Sequence, residues 1–236
     1  MLQLHQFRHS AFCEKVRLIL AVKGLPYTTV EVTPGLGQIA LFRLSGQRQV
    51  PVLEDGATVI ADSTAIALHL EALHPQVPLL PADPLLRARV LLLEDWADTT
   101  LASGVRLALL QAAVADPLLR TALLPQELPS PLRGLVAAFP TGPLVGVGEA
   151  LGQGPRQDLQ AALAQLVVLV EAAPYLVGDQ LSLADLAVAA QLSLLSFPAH
   201  ACEPLAGHGV PGLADHPQLA PLFQWRDRLI AGLPLG

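Results

Sequence analysis

The sequence predicts an α/β domain followed by an all-α domain, and three observations carry that expectation. Over the first seventy-odd residues the apolar period switches repeatedly between that of strands and that of helices, in the order βαβαββα. Four prolines then fall between His74 and Pro84, at positions 75, 78, 81 and 84, a composition suited to a linker. Beyond them no convincing strand alternation remains, and the apolar residues recur at helical spacing. The division is therefore 1–74 for the α/β domain, 75–84 for the linker and 85–236 for the helical domain.

Leu2, Leu4 and Phe7 predict a first strand, and Phe12, Val16, Ile19, Leu20 and Lys23 predict a helix that Gly24 stops. Tyr27 to Val32 alternates and is β-branched, which predicts a second strand, and Gln38 to Leu44 fits a short helix. Val50 to Leu53 and Thr58 to Ile60 flank Glu54-Asp55-Gly56, the signature of a hairpin with an Asp-Gly turn. Asp62-Ser63 caps a helix running to Leu73. The first crossover implies a parallel pair and the hairpin an antiparallel one, so the sheet is expected to be mixed and covered by helices. Further helices are expected from about Pro84 to Ala115, Arg156 to Ala172, Ser182 to Ser196 and Gln218 to Ile230, leaving the Pro/Gly-rich stretch 117–155 unassigned.

Composition excludes several classes of function. Apolar residues make up 52% of the 236 and charged residues 14%, far from a disordered polyelectrolyte. Mean hydropathy is high, at +0.49, yet Pro140, Pro143, Glu171 and Pro174 cut the greasiest runs short of a membrane span. The start, MLQLHQFRHS, lacks the features of a secretory signal, and two cysteines, Cys13 and Cys202, form no disulfide framework, so a cytoplasmic location is expected. A net charge of −6 with no basic block argues against nucleic acid or anionic membrane as partner. The seven histidines show no metal spacing, and His5 and His9 straddle a strand and a loop, so no metal is expected. A small molecule or another protein is left.

Three short motifs carry chemistry, and each has a plain structural reading beside it. Ser10 opens the first helix, where a hydroxyl and the positive helix end would stabilise a thiolate; equally, Ser10 is an ordinary N-cap. Val50-Pro51 precedes the hairpin, where a cis proline would leave peptide groups to pair with an extended ligand; equally, Pro51 merely starts a strand. Asp62-Ser63 offers helix-start N–H groups, a hydroxyl and a carboxylate suited to an amino-acid head group, or simply a cap. In a βαβαββα fold the three fall along one edge of the sheet. On the second domain's first helix, Glu94, Asp95 and Asp98 read as a solvated or interfacial acidic face, with Asp95 and Thr99 on one side of it.

Together, Ser10-Ala11-Phe12-Cys13-Glu14-Lys15-Val16-Arg17, Val50-Pro51-Val52-Leu53, Asp62-Ser63-Thr64-Ala65-Ile66 and the run from Tyr175 to Asp185 resemble the cytosolic glutathione S-transferase superfamily. The resemblance implies a thioredoxin-like domain that binds glutathione as co-substrate and a helical domain that supplies a pocket for a hydrophobic electrophile, in a homodimer serving detoxification. It assigns thiol activation to Ser10, with His9 or Arg8 as alternatives. Val50 would pair with the cysteinyl unit, Pro51 would be the cis proline, and Asp62 and Ser63 would hold the γ-glutamyl group. Gln49, or else Gln38 or Arg48, would reach the glycyl carboxylate. Ser45-Gly46 and Gln49 depart from the residues the family often carries there. Cys13 falls one turn into the helix and is expected to be a buried structural thiol. The competing expectations are a glutathione-dependent peroxidase, isomerase or dehalogenase on the same site, and a non-catalytic binding protein of the same fold.

Overall fold

The computed structural model describes residues 1–33, 36–124, 142–201, 204–231 and 233, with side chains throughout except at 36 and 142–153. The described chain falls into two compact units, one of residues 1–98, 175–190 and 229–236 and one of 99–174 and 191–228. In the first unit β1 (Leu2–Gln6), α1 (Ala11–Val22), β2 (Tyr27–Glu31), α2 (Leu36–Ser45), β3 (Val52–Asp55), β4 (Thr58–Ala61) and α3 (Ser63–Leu73) follow in the expected order. The sheet runs β2-β1-β3-β4, with β1 and β2 parallel and the other two pairs antiparallel. This is the mixed sheet of a thioredoxin-like domain.

Residues alternate along β1 so that Leu2, Leu4 and Gln6 are buried, and on α1 Val16, Ile19 and Leu20 are fully buried too. Ile66 and Leu70 of α3 are also fully buried in this unit, while Val32, Leu41 and Val52 form a cluster under α2. Each such side chain contributes about 1.5–3 kcal/mol by leaving water. The hairpin differs by one position from the sequence expectation: Asp55 pairs with Thr58, so the loop is Gly56-Ala57. Gly56 supplies the positive φ of 61° that a tight two-residue turn requires at its first position.

The C-terminus of α1 is capped by Lys23, whose side chain is 1% exposed. Its ammonium donates to Glu71 Oε2 at 2.8 Å and to the carbonyls of His74 and Val77, both at 2.9 Å. Glu71 in turn accepts from the N–H groups of Leu79 and Leu80. A cation at a helix C-terminus is favoured by the helix dipole, and here it also ties the proline-rich segment to α3.

The expected single helix from Pro84 to Ala115 is divided. Following α4 (Pro84–Trp96), the chain makes a π-helical turn over Ala97–Leu101 before α5 (Ala102–Ala115) begins. Next come α6 (Pro117–Ala122) and α7 (Gly142–Ala172), which reaches further back than the expected Arg156 and includes Pro155. The rest of the unassigned stretch, 125–141, lies outside the described residues, as does Cys202. Then follow α8 (Leu183–Leu195) and α9 (Ala220–Ile230), so everything beyond β4 is helix or loop apart from one isolated bridge, Ser196 to Gly209, among the described residues.

Asp185 anchors the start of α8, accepting from the N–H of Leu176 at 2.7 Å and from the N–H and hydroxyl of Ser182 at 2.8 and 2.7 Å. In the second unit α5 packs on α7, with Gly104 set against Leu159 so closely that a β-carbon would lie 3.2 Å from it. Arg226 is buried there and donates to the carbonyls of Leu192 and Ser196, satisfying the end of α8. Trp225 donates to the carbonyl of Pro174 at 2.9 Å.

Candidate functional site

Strand register decides where the three motifs lie. His5 pairs with Val52 and Val52 pairs with Ala61, so these three residues form one row across the sheet. Just past that row β1 leaves the sheet towards Ser10, β3 enters it from Val50-Pro51, and β4 leaves it into Asp62-Ser63. All three motifs therefore stand at one end of the sheet, in one compact unit.

Hydrogen bonds from below fix the loop that carries Ser10. Arg17 donates to Gln6 Oε1 at 2.5 Å and to the carbonyl of Arg8 at 2.9 Å, while pairing with Glu14. Glu31 takes the Arg8 N–H at 2.7 Å and Gln6 Nε2 at 3.2 Å. Ser10 is extended, with φ −94° and ψ 122°, and its Oγ accepts from the Cys13 N–H at 3.4 Å. Capping uses a lone pair of that oxygen, and the same hydroxyl also hydrogen-bonds the Cys13 thiol. His9 is half-buried and stands edge-on to Phe7, with ring centroids 5.6 Å apart.

Cys13 is buried, and burial pushes its thiol up to about 11 against the opposing hydrogen bonds from Phe7 and Ser10. It is protonated at neutral pH and unsuited to be a nucleophile.

The Val50-Pro51 peptide is cis, Pro51 is buried, and Val50 lies just outside the ladder that starts at Val52. Before it, Gln49, Arg48 and Gln38 are all exposed; the Arg48 guanidinium lies 5.6 Å from the centre of the Phe42 ring, and the Gln49 carbonyl accepts from Gln47. Asp62 has φ +81°, the one non-glycine residue with positive φ among those described, and its Oδ1 caps α3 by accepting from Thr64 and Ala65 at 2.9 and 3.0 Å. Such a conformation costs about 1–3 kcal/mol and persists only where surrounding structure holds it.

Ser63 is 2% exposed, and its hydroxyl donates to Asp98 Oδ2 at 3.3 Å. Asp98, in the π-helical turn, also accepts from Lys15 at 2.5 Å. Lys15 is 1% exposed, and Glu94 accepts from it and from the Thr64 hydroxyl, both at 2.6 Å. This corrects the reading of a solvated acidic face: Asp95 is exposed, but Glu94 is buried and Asp98 mostly so, both turned onto a lysine of α1. Burial pushes the Asp98 carboxyl above its ordinary range, opposed by Lys15. Sequence reasoning passed over Lys15 because it sits among apolar residues of α1. The available signal was the pair of acids four residues apart, Glu94 and Asp98, which in a chain with so few charges calls for a cation.

A hollow of about 810 Å³ opens at the other end of α3, lined by Leu68, Glu71, Leu80, Leu86 and Val177, away from Ser63 along that helix. Among the described residues no three His, Cys, Asp or Glu side chains gather to hold a metal, and no helix is long and apolar enough to cross a membrane.

Residues 4–78 match the model of the glutathione S-transferase N-terminal domain. A glutathione S-transferase of Pseudomonas putida is 31% identical over 224 residues, 95% of this chain and 86% of the relative. A protein of Caenorhabditis elegans described as a probable maleylacetoacetate isomerase is 28% identical over 190 residues, 78% of this chain and 74% of its own. The structure of FzlA from C. crescentus superposes with a TM-score of 0.69 at 25% identity, over 97% of this chain and 87% of that one. With the sheet, the cis proline and the capped α3 in the arrangement described, the chain belongs to the glutathione S-transferase family.

Proposed function

We propose that this protein binds glutathione along the open end of the sheet and uses Ser10 to hold its sulfur as a thiolate for attack on hydrophobic electrophiles. The observation that carries this reading is the row His5–Val52–Ala61, which brings Ser10, Val50-Pro51 and Asp62-Ser63 to one end. The γ-glutamyl group goes to Asp62 and Ser63, the cysteinyl unit pairs with the peptide of Val50 beside Pro51, and the glycyl carboxylate meets Gln49. A free thiol of pKa near 8.5 is mostly protonated at neutral pH. A hydroxyl proton from Ser10 and roughly half a unit charge at the start of α1 both favour the anion. The thiolate then forms the C–S bond as the electrophile's leaving group departs or its double bond takes the electron pair. Rate enhancement comes from that pKa shift and from proximity.

A second reading is isomerisation, favoured by the C. elegans relative: the same sulfur would add to a double bond and leave again after rotation. A panel of activated halides, enones, peroxides and cis-alkenes separates these chemistries. The burial of Cys13 as a free thiol supports a reducing compartment, the cytoplasm. Exposed Leu68, Leu85 and Leu92 support a homodimer, and a monomeric mass by light scattering would reject one.

Calorimetric titration with glutathione, followed by an ultraviolet scan for bound thiolate at neutral pH, tests the proposal. Binding with a thiolate band is the expected result. Absence of binding overturns it in favour of a non-catalytic member of the fold.

A further inference from the structure

Ser10 closes a tight turn, its N–H donating to the Phe7 carbonyl at 2.9 Å, with Arg8 and His9 as the two central residues. Both backbone polar groups of Arg8 are held from outside that turn: Glu31 Oε1 accepts from its N–H at 2.7 Å, and Arg17 donates to its carbonyl at 2.9 Å. Gln6, itself buried, completes a ring by accepting from Arg17 and donating to the other oxygen of Glu31. Arg17 is a cation near the start of α1 and suits an anion there on charge alone. Glu31 does not. Burial is the main force raising the Cys13 thiol, and among the smaller influences the Arg17 charge lowers it while the Glu31 charge raises it. A carboxylate so close to a proposed thiolate site opposes the anion, and its bond to the Arg8 N–H supplies a mechanical reason for its presence.

We infer that Glu31 is a positioning residue for thiol activation: through the Arg8 N–H it fixes the Phe7–Ser10 turn and with it the place of the Ser10 hydroxyl. This rests on the proposed role of Ser10 and brings a residue of β2 into it. The two properties of Glu31 predict opposite results. As a charge, its removal favours the thiolate. As an anchor, its removal lets the turn drift, and a group misplaced by about 1 Å loses up to about a hundredfold of its effect. Anchoring prevails, because the bond to Arg8 is direct and charge-assisted, whereas the field at the turn is shared with the Arg17–Glu14 pair.

The readout is the thiolate band of glutathione bound at saturation, followed across pH in folded protein. Glu31→Ala should lower the ionisation constant of the bound thiol about tenfold, with glutathione affinity within about threefold of wild type. Glu31→Gln keeps an acceptor oxygen for the Arg8 N–H and should hold that constant within about threefold. Glu31→Asp keeps the charge but falls one methylene short, so it should resemble alanine, and it replaces Glu31→Ala should that variant fail to fold. Added to Ser10→Ala, Glu31→Ala should change the constant by no more than about twofold, because the anchor acts through that hydroxyl. A constant that rises in Glu31→Ala, an equal loss in Glu31→Gln, a wild-type value in Glu31→Asp, or additive losses in the double variant overturns the inference. If Ser10→Ala weakens the thiolate band and Glu31→Ala leaves it unchanged, only this inference falls. If the wild-type protein binds no glutathione, or Ser10→Ala leaves the band as it was, the proposed role of Ser10 falls and takes the inference with it.

Discussion

Helix α1 buries a lysine near each end, and the two sites are built differently. Lys23 meets one carboxylate and two carbonyls, and Glu71 is itself saturated by Lys23 and two N–H groups of the proline-rich segment. Charge balances there and every group has a partner. Lys15 meets two carboxylates and a threonine, and Asp98 keeps one buried oxygen, Oδ1, without a partner among the described residues. An unmatched buried polar atom costs on the order of 1–3 kcal/mol, which evenly packed structure avoids. One end of α1 is a fastening; the other is an arrangement under electrostatic tension beside the proposed ligand site.

Replacing each lysine by methionine should divide the two. Lys15→Met strands two carboxylates and should lose the most stability in urea titration, about 3–5 kcal/mol and towards the upper end of that range. Adding Glu94→Gln should restore part of the loss, and a double variant no more stable than the single one would show that charge is not the cause. Lys23→Met strands a single carboxylate and removes the donor to His74 and Val77, so its loss should fall at the lower end of the same range. Glutathione affinity in that variant should stay within about twofold of wild type. A tenfold change would join the two ends of the helix and break the distinction.

Smaller effects follow at Ser10. Ser10→Ala removes a single 3.4 Å capping bond and should cost about 1 kcal/mol of stability. Its larger signature is chemical: the pKa of bound glutathione should rise and turnover at neutral pH should fall, with affinity nearly constant. A pH–rate profile unchanged from wild type would move thiol activation to Arg8 or His9. The smallest effect is expected at Cys13. In a Cys202→Ser background it should resist a thiol reagent at pH 8 in the native protein and react fully in denaturant. The folded thiol holds its proton up to about 11 against an ordinary value of 9.0, so its contribution is intact below pH 9 and stability declines as pH climbs towards 11. Rapid native labelling would refute its burial.

The sequence made one part of this arrangement readable and hid another. Period changes, the Asp-Gly turn and the Asp62-Ser63 cap are local signals, and they foretold the order of the first seven elements and the start of α3. Leu36–Ser45, α8 and α9 likewise followed from apolar spacing and caps. The π-helical turn at Ala97–Leu101 was invisible, because no residue type demands it and the apolar spacing runs through it unbroken. That turn carries Asp98, so the partnership of Lys15 with residues 79 and 83 positions away was equally hidden. Arg17 carries no local signal of its role either, although its bonds to Gln6 and Arg8 hold the Ser10 loop. Long-range polar contacts of this kind leave no periodic trace; only the acids Glu94 and Asp98, one turn apart, hinted at one.

For a protein engineer, Asp62 marks a place where thermostability and the ligand capture proposed for it pull in opposite directions. Its φ of +81° is one that glycine adopts without strain, and glycine as a helix cap sacrifices only a few tenths of a kcal/mol relative to aspartate. A stability screen blind to ligand would therefore drift towards glycine, offset in part by the looser unfolded chain. A screen for glutathione retention would return the carboxylate. Running both selections on one library would reveal at that codon which demand shaped the backbone.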